Sequence, residues 1–134
     1  MLSTGIDLVE VERLQSVAQR YGARFLERIF TSQELSEAGR NPASLAARFA
    51  AKEAVSKALG TGIGDMTWLD IEVLRGPARE PTLHLHGKAA ELARDLKLDS
   101  WSISLSHTQT HAIAMVVALS TGGEGKQDAR RRPS

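Results

Sequence analysis

The stretch from Ala43 to Leu59 constrains this sequence most: it is rich in alanine and leucine and closed by Gly60-Thr61-Gly62-Ile63-Gly64. Alanine and leucine are the strongest helix formers, so the stretch predicts one long helix, and the glycine run predicts its end. Asn41-Pro42 precedes it, with proline suited to the first helical turn. Aromatic residues make up only 4% of the chain, so the core has to be built from Leu, Ile, Val and Ala. A chain of 134 residues fits one domain. At that size about two thirds of the unfolded surface is buried, enough for one modest core but not for a deep private cavity.

Around this helix the pattern alternates between the two regular periods. Leu2 to Val9 reads as an opening strand interrupted by Gly5, a sign of a bulge or a close backbone approach. Val11, Leu14, Val17 and Ala18 then recur at helical spacing up to Tyr21, with Gly22 as the stop and a second short helix over Ala23 to Ile29. Thr31 with Glu34 forms a capping box. In the second half, strands are expected at Leu69–Leu74, Pro81–His86, Trp101–Ser106 and Ala112–Leu119, with a helix over Lys88–Leu96. Gly76-Pro77 supplies a turn between the first two strands. Helices followed by antiparallel strand pairs predict an α+β fold, a small antiparallel sheet packed on the long helix. Residues 1–119 form the expected domain and residues 120–134 a flexible charged tail.

Composition excludes several functions. Without cysteine there are no disulfides, thiolate metal sites or Cys nucleophile, which suits a reducing cytoplasm. Met1 to Val11 already contains Asp7 and Glu10, so no secretory leader is expected there, and no apolar run approaches the roughly 20 residues of a membrane span. The net charge of +1 resides in the tail, and the rest of the chain is slightly acidic. A nucleic-acid partner would call for a strong basic excess on the fold itself.

Three segments carry polar groups that a core does not require. Asp7 emerges from the apolar Gly5-Ile6-Asp7-Leu8, either as a cap for the next helix or as a ligand for a cation. Glu53 and Lys57 lie one turn apart on the long helix, either as a surface ion pair or as a carboxylate and ammonium facing a cation and its phosphate. Arg48 lies about 140° around the helix from Glu53 and points elsewhere, to serve either its own subunit's site or a neighbouring one. His107 ends Ser104-Leu105-Ser106-His107-Thr108, as a turn residue, a phosphate donor or a general base. His84 and His86 share one strand face, as zinc ligands do, but with no third ligand; with His111 they read as surface residues. The glycine run with Gly62 can bring backbone amides to phosphate, yet lacks the Lys-Ser/Thr pair of a Walker loop.

Taken together and in this order, these segments resemble the holo-acyl-carrier-protein synthase family of phosphopantetheinyl transferases. The resemblance runs from about Thr4 to Ala118, and its most specific piece is Arg48-Phe49-Ala50-Ala51-Lys52-Glu53-Ala54-Val55-Ser56-Lys57-Ala58-Leu59-Gly60-Thr61-Gly62. Gly5-Ile6-Asp7 with Arg13, Glu27-Arg28-Ile29-Phe30-Thr31 with Glu34, and Ser104-Leu105-Ser106-His107-Thr108 support it. Ser3 stands where the family usually has glycine. The resemblance implies Mg²⁺ on Asp7 and Glu53. It implies that Lys57 and His107 contact the coenzyme A diphosphate, that Gly62 belongs to the same site, and that Arg48 reaches the 3′-phosphate. The acceptor is a serine of acyl carrier protein, and the base is either Glu53, acting through a metal-bound water, or His107. The family assembles as homotrimers with interface sites, which answers the size limit above.

Arg13 and Arg20 fall about 20° from alignment on a helix, and Arg24 and Arg28 follow. Acyl carrier proteins are acidic, so these arginines are the expected docking face. The alternatives are a transferase for polyketide or peptide carrier domains, and a non-enzymatic module of the same fold that binds an acidic partner.

Overall fold

The computed structural model describes residues 1–60 and 66–122. The chain runs β1 (Leu2–Glu10), α1 (Val11–Ile29), α2 (Ser32–Ala38), α3 (Pro42–Ala58), a 3-10 turn (Trp68–Asp70), β2 (Ile71–Arg75), β3 (Pro81–Leu85), α4 (Gly87–Asp95), β4 (Ser100–His107) and β5 (His111–Leu119). The long helix is where the alanines place it: Asn41 caps it by accepting from the amides of Ala43 and Ser44, and Pro42 opens its first turn. It is nearly featureless in amphipathic terms because it is buried on most sides. Ala50, Ala51, Ala54 and Val55 are fully enclosed.

Two antiparallel sheets flank α3 where the sequence suggests one. The larger is ordered β1-β5-β4, so the first strand pairs with the last one among the described residues. The smaller is the β2-β3 hairpin. The larger sheet lays Ala112, Ala114, Val116 and Ala118 of β5 on its buried face. On β1 the same face carries Ser3, Gly5 and Asp7, because alternate side chains share a face. Small residues on both partners let helix and sheet approach until backbones touch. A Cβ on Gly5 would lie 1.8 Å from the Ala54 carbonyl oxygen. Beside it, Ser3 Oγ donates to the Ala58 carbonyl at 2.5 Å, giving the serine a use at the end of α3.

The opposite side of α3 is held by a buried ion pair. Lys52 Nζ donates to Glu34 Oε1 at 2.8 Å, to the Trp68 carbonyl at 3.0 Å and to the Ile71 carbonyl, and both side chains are 0% exposed. Glu34 also accepts from the amides of Thr31 at 2.9 Å and Val73 at 2.8 Å. Burial lowers the Lys52 pKa despite the opposing pull of Glu34. The ammonium, its carboxylate and four backbone groups thus fasten α2, α3 and β2 in one knot, with the charges compensated as burial requires.

One strand begins later than expected. Residues Trp68–Asp70 form a 3-10 turn, so β2 starts at Ile71 and not at Leu69: Asp70 bonds back to Thr67, and Lys52 draws off the Trp68 carbonyl. Gly22 (φ 73°, ψ −158°) breaks α1 into two helical stretches, in keeping with the stop and the second short helix expected from the sequence. The tail begins as tethered chain: Ser120 N donates to the Met1 carbonyl, and Thr121 bonds Asp99 through its amide at 2.9 Å and its hydroxyl at 2.7 Å. Residues 123–134 lie outside the described residues.

Gly5→Ala is expected to lower the unfolding free energy by about 2 kcal/mol or more through overpacking. Urea denaturation followed by circular dichroism measures this, and a midpoint equal to the wild type would contradict the close approach.

Candidate active site

At the end of β1 the pleat turns Asp7 toward α3, where Glu53 and Lys57 stand. Asp7 does not cap the following helix: Glu10 holds that position and makes no side-chain cap bond. Nor do Glu53 and Lys57 form the surface ion pair their spacing allows. Lys57 Nζ reaches across to Asp7 Oδ1 at 3.1 Å and to the Ile6 carbonyl at 2.9 Å. The Glu53 carboxyl is held above its usual pKa, first by burial and then by the negative charge of Asp7, with Lys57 pulling it back. Two carboxylates from different elements therefore feel each other across one small space.

That space opens into a groove of about 400 Å³. Asp7, Glu53 and Arg13 line its polar side, and Val17, Phe25 and Phe49 its apolar wall. Among the described residues no group of three or more His, Cys, Asp or Glu is placed to hold a metal ion. A two-carboxylate set remains suited to a hard cation that takes its other ligands from phosphate and water. The mutual repulsion of Asp7 and Glu53 is the feature of this site that such a cation would relieve.

His107 and Arg48 lie elsewhere. His107 pairs with Ala112 of β5, on the far edge of the sheet from β1, so about two strand spacings, roughly 10 Å, separate the strand of Asp7 from that of His107. A second groove of about 300 Å³ is lined by His107, Arg48, Arg75, Arg79, Ser44 and Asn41. Arg48 points away from Glu53, as its place on the helix requires, and its side chain is buried and anchored by partners in the same chain. It donates to the Val73 carbonyl at 2.8 Å and to Glu37 at 3.1 Å. The β2-β3 hairpin closes over α3 at that point and supplies these partners. One chain thus brings Asp7, Glu53, Lys57 and Arg13 together and keeps His107 and Arg48 apart from them. Gly62 lies outside the described residues.

Arg13, Arg20, Arg24 and Arg28 are all exposed on α1. The break at Gly22 separates the first two from the last two, and Arg20 stacks on Tyr21 at 5.5 Å. Sequence reasoning did not find the apolar wall of Phe25 and Phe49 or the hairpin arginines Arg75 and Arg79. Phe49 sat inside the quoted motif, next to Arg48, and was the available signal. Arg75 and Arg79 flank a turn and gain meaning only once the hairpin meets α3.

Residues 3–116 match the model of the 4′-phosphopantetheinyl transferase superfamily. The chain belongs to that superfamily. The relatives it is similar to include the holo-[acyl-carrier-protein] synthase of Alkaliphilus metalliredigens, 46% identical over 117 residues, covering 85% of this chain and 95% of the relative. The enzyme of that name from Koribacter versatilis is 47% identical over 121 residues, covering 87% and 97%. Among solved structures, the Helicobacter pylori holo-[acyl-carrier-protein] synthase in complex with coenzyme A superposes with a TM-score of 0.79 at 37% identity, covering 87% of this chain and 99% of that one. The α+β architecture expected from the sequence is the architecture these superfamily members share.

Asp7→Asn is expected to lower the Glu53 pKa, because it removes a repelling charge and frees Lys57 toward Glu53. A carboxyl-carbon NMR titration reads this directly, and an unmoved Glu53 would contradict the coupling.

Proposed function

We propose that the protein transfers 4′-phosphopantetheine from coenzyme A to a serine of apo acyl carrier protein, giving holo acyl carrier protein and 3′,5′-ADP. The observation that carries this reading is that Asp7 and Glu53 line one groove, with Lys57 bonded to Asp7 beside them, in a chain of this superfamily. The likeness to enzymes named for the same reaction supports it.

In this reading Asp7 and Glu53 hold Mg²⁺, which when bound neutralises charge across the diphosphate and the departing 3′,5′-ADP. Lys57 donates to the diphosphate with a charge-assisted bond. The serine oxygen forms a bond to the phosphorus bearing pantetheine, and the bond from that phosphorus to the oxygen of 3′,5′-ADP breaks. The serine proton passes to Glu53 or to His107. The apolar wall of Val17, Phe25 and Phe49 suits an apolar contact from the carrier, and Arg13, Arg20, Arg24 and Arg28 steer its acidic surface.

The reading includes a homotrimer whose sites lie between subunits. Its support is the division of the site residues between two sheet edges, with Asp7, Glu53 and Lys57 at one and His107 and Arg48 at the other. A second support is the outer face of the sheet. Ile6, Leu8 and Met115 are exposed there, with Ile6 directly opposite Met115 and Leu8 opposite Ile113. A contiguous apolar sheet face of this kind is normally covered. Arg48, anchored by Val73 and Glu37, would then present a fixed charge to the neighbour's coenzyme A 3′-phosphate. Among the described residues no helix is long and apolar enough to cross a membrane. A role in fatty acid synthesis in the cytoplasm completes the proposal.

Purified protein with Mg²⁺, coenzyme A and apo acyl carrier protein is expected to add the mass of phosphopantetheine to the carrier. Arg28→Glu is expected to raise the KM for the carrier about tenfold and leave that for coenzyme A unchanged. No mass gain with any of several apo carriers would refute the activity, and parallel changes in both KM values would refute the docking face.

A further inference from the structure

We propose that Lys57 is a built-in counter-cation that holds Asp7 until a diphosphate draws it away, so that divalent cation and coenzyme A bind with positive coupling through this one side chain. This rests on the transferase reading above and adds a second role to Lys57, on the cation side of the site.

The geometry carries it. Lys57 Nζ lies 3.1 Å from the same Asp7 carboxylate that would ligate the cation, and 2.9 Å from the Ile6 carbonyl. An ammonium at that distance and a divalent cation on the same carboxylate repel each other, so one weakens the other. Asp7 cannot easily yield, since the contact between Gly5 and Ala54 fixes β1 against α3 and the Asp7 side chain is only 16% exposed. Lys57 can yield. Its side chain is 54% exposed on a flexible four-carbon stem, and one of its three donors is not used by Asp7 or Ile6. A diphosphate in the groove offers more negative charge than Asp7 alone, so the ammonium gains by moving to it. The move removes positive charge from Asp7 at the moment the phosphate oxygens arrive. Glu53 also senses the ammonium, so both carboxylates become better cation ligands together. By linkage the effect is reciprocal: coenzyme A tightens cation binding by the factor by which the cation tightens coenzyme A binding.

The test measures Mn²⁺ binding to the full chain by electron paramagnetic resonance of the free ion, with and without coenzyme A. Wild type, Lys57→Met and Lys57→Arg are compared. Without coenzyme A, Lys57→Met is expected to bind Mn²⁺ roughly fivefold tighter than wild type or more, while Lys57→Arg keeps the wild-type affinity. Coenzyme A is expected to tighten Mn²⁺ binding strongly in wild type and Lys57→Arg, and less in Lys57→Met. If Lys57→Met binds Mn²⁺ no tighter than wild type while coenzyme A still tightens binding in both, the counter-cation role is overturned and the transferase site stands. If wild type binds no Mn²⁺, or its affinity ignores coenzyme A, both are overturned.

Discussion

The contact between Gly5 and the Ala54 carbonyl sets the geometry of everything near the site. At that point strand and helix backbones touch, with no room for one methyl group. The approach is possible because β5 and α3 present alanines to each other, and because the chain has few bulky aromatics to place in its core. It also fixes the register of function. With Gly5 pressed on α3, the pleat turns Asp7 inward two residues later, at the level where the helix carries Glu53 and Lys57. A strand seated farther out would leave the two carboxylates too far apart to influence each other.

On the far side of α3 the Lys52–Glu34 pair holds α2 and β2 to the helix. Lys52 and Glu53 are neighbours in sequence and face different tasks. One is buried with every charge answered inside the chain, and the other is left beside a second carboxylate at the mouth of a groove. Because α3 is gripped on both sides, Glu53 has a fixed footing, while the side chain of Lys57 is half exposed.

Much of this was legible in the sequence, and particular residues show where legibility stopped. The alanine-rich helix, its Asn41 cap and the Thr31–Glu34 capping box depend on contacts within a few residues, and they form as read. The second role of Glu34 was invisible because its partner comes from 18 residues away and from a different face of the fold. Helical geometry alone could say that Arg48 points away from Glu53, but not that a hairpin would fold over it. Asp7 illustrates the same limit: cap and ligand are both local possibilities, and only the packing of β1 on α3 turns it away from the helix start. The strand order β1-β5-β4 was equally hidden, and it is what puts Asp7 and His107 on opposite edges of one sheet.

That separation gives the account its central claim, that a working site takes Asp7, Glu53 and Lys57 from one subunit and His107 and Arg48 from the next. Subunit mixing tests it most directly. Glu53→Ala and His107→Ala chains, each purified and assayed alone, should be inactive in phosphopantetheine transfer. After denaturation together in equal amounts and refolding, random assembly into closed rings should restore intact interfaces at about one site in four. Recovery of about a quarter of the wild-type rate is the predicted result. A mixture that stays as inactive as its components, while mass spectrometry shows mixed assemblies, would contradict the shared site.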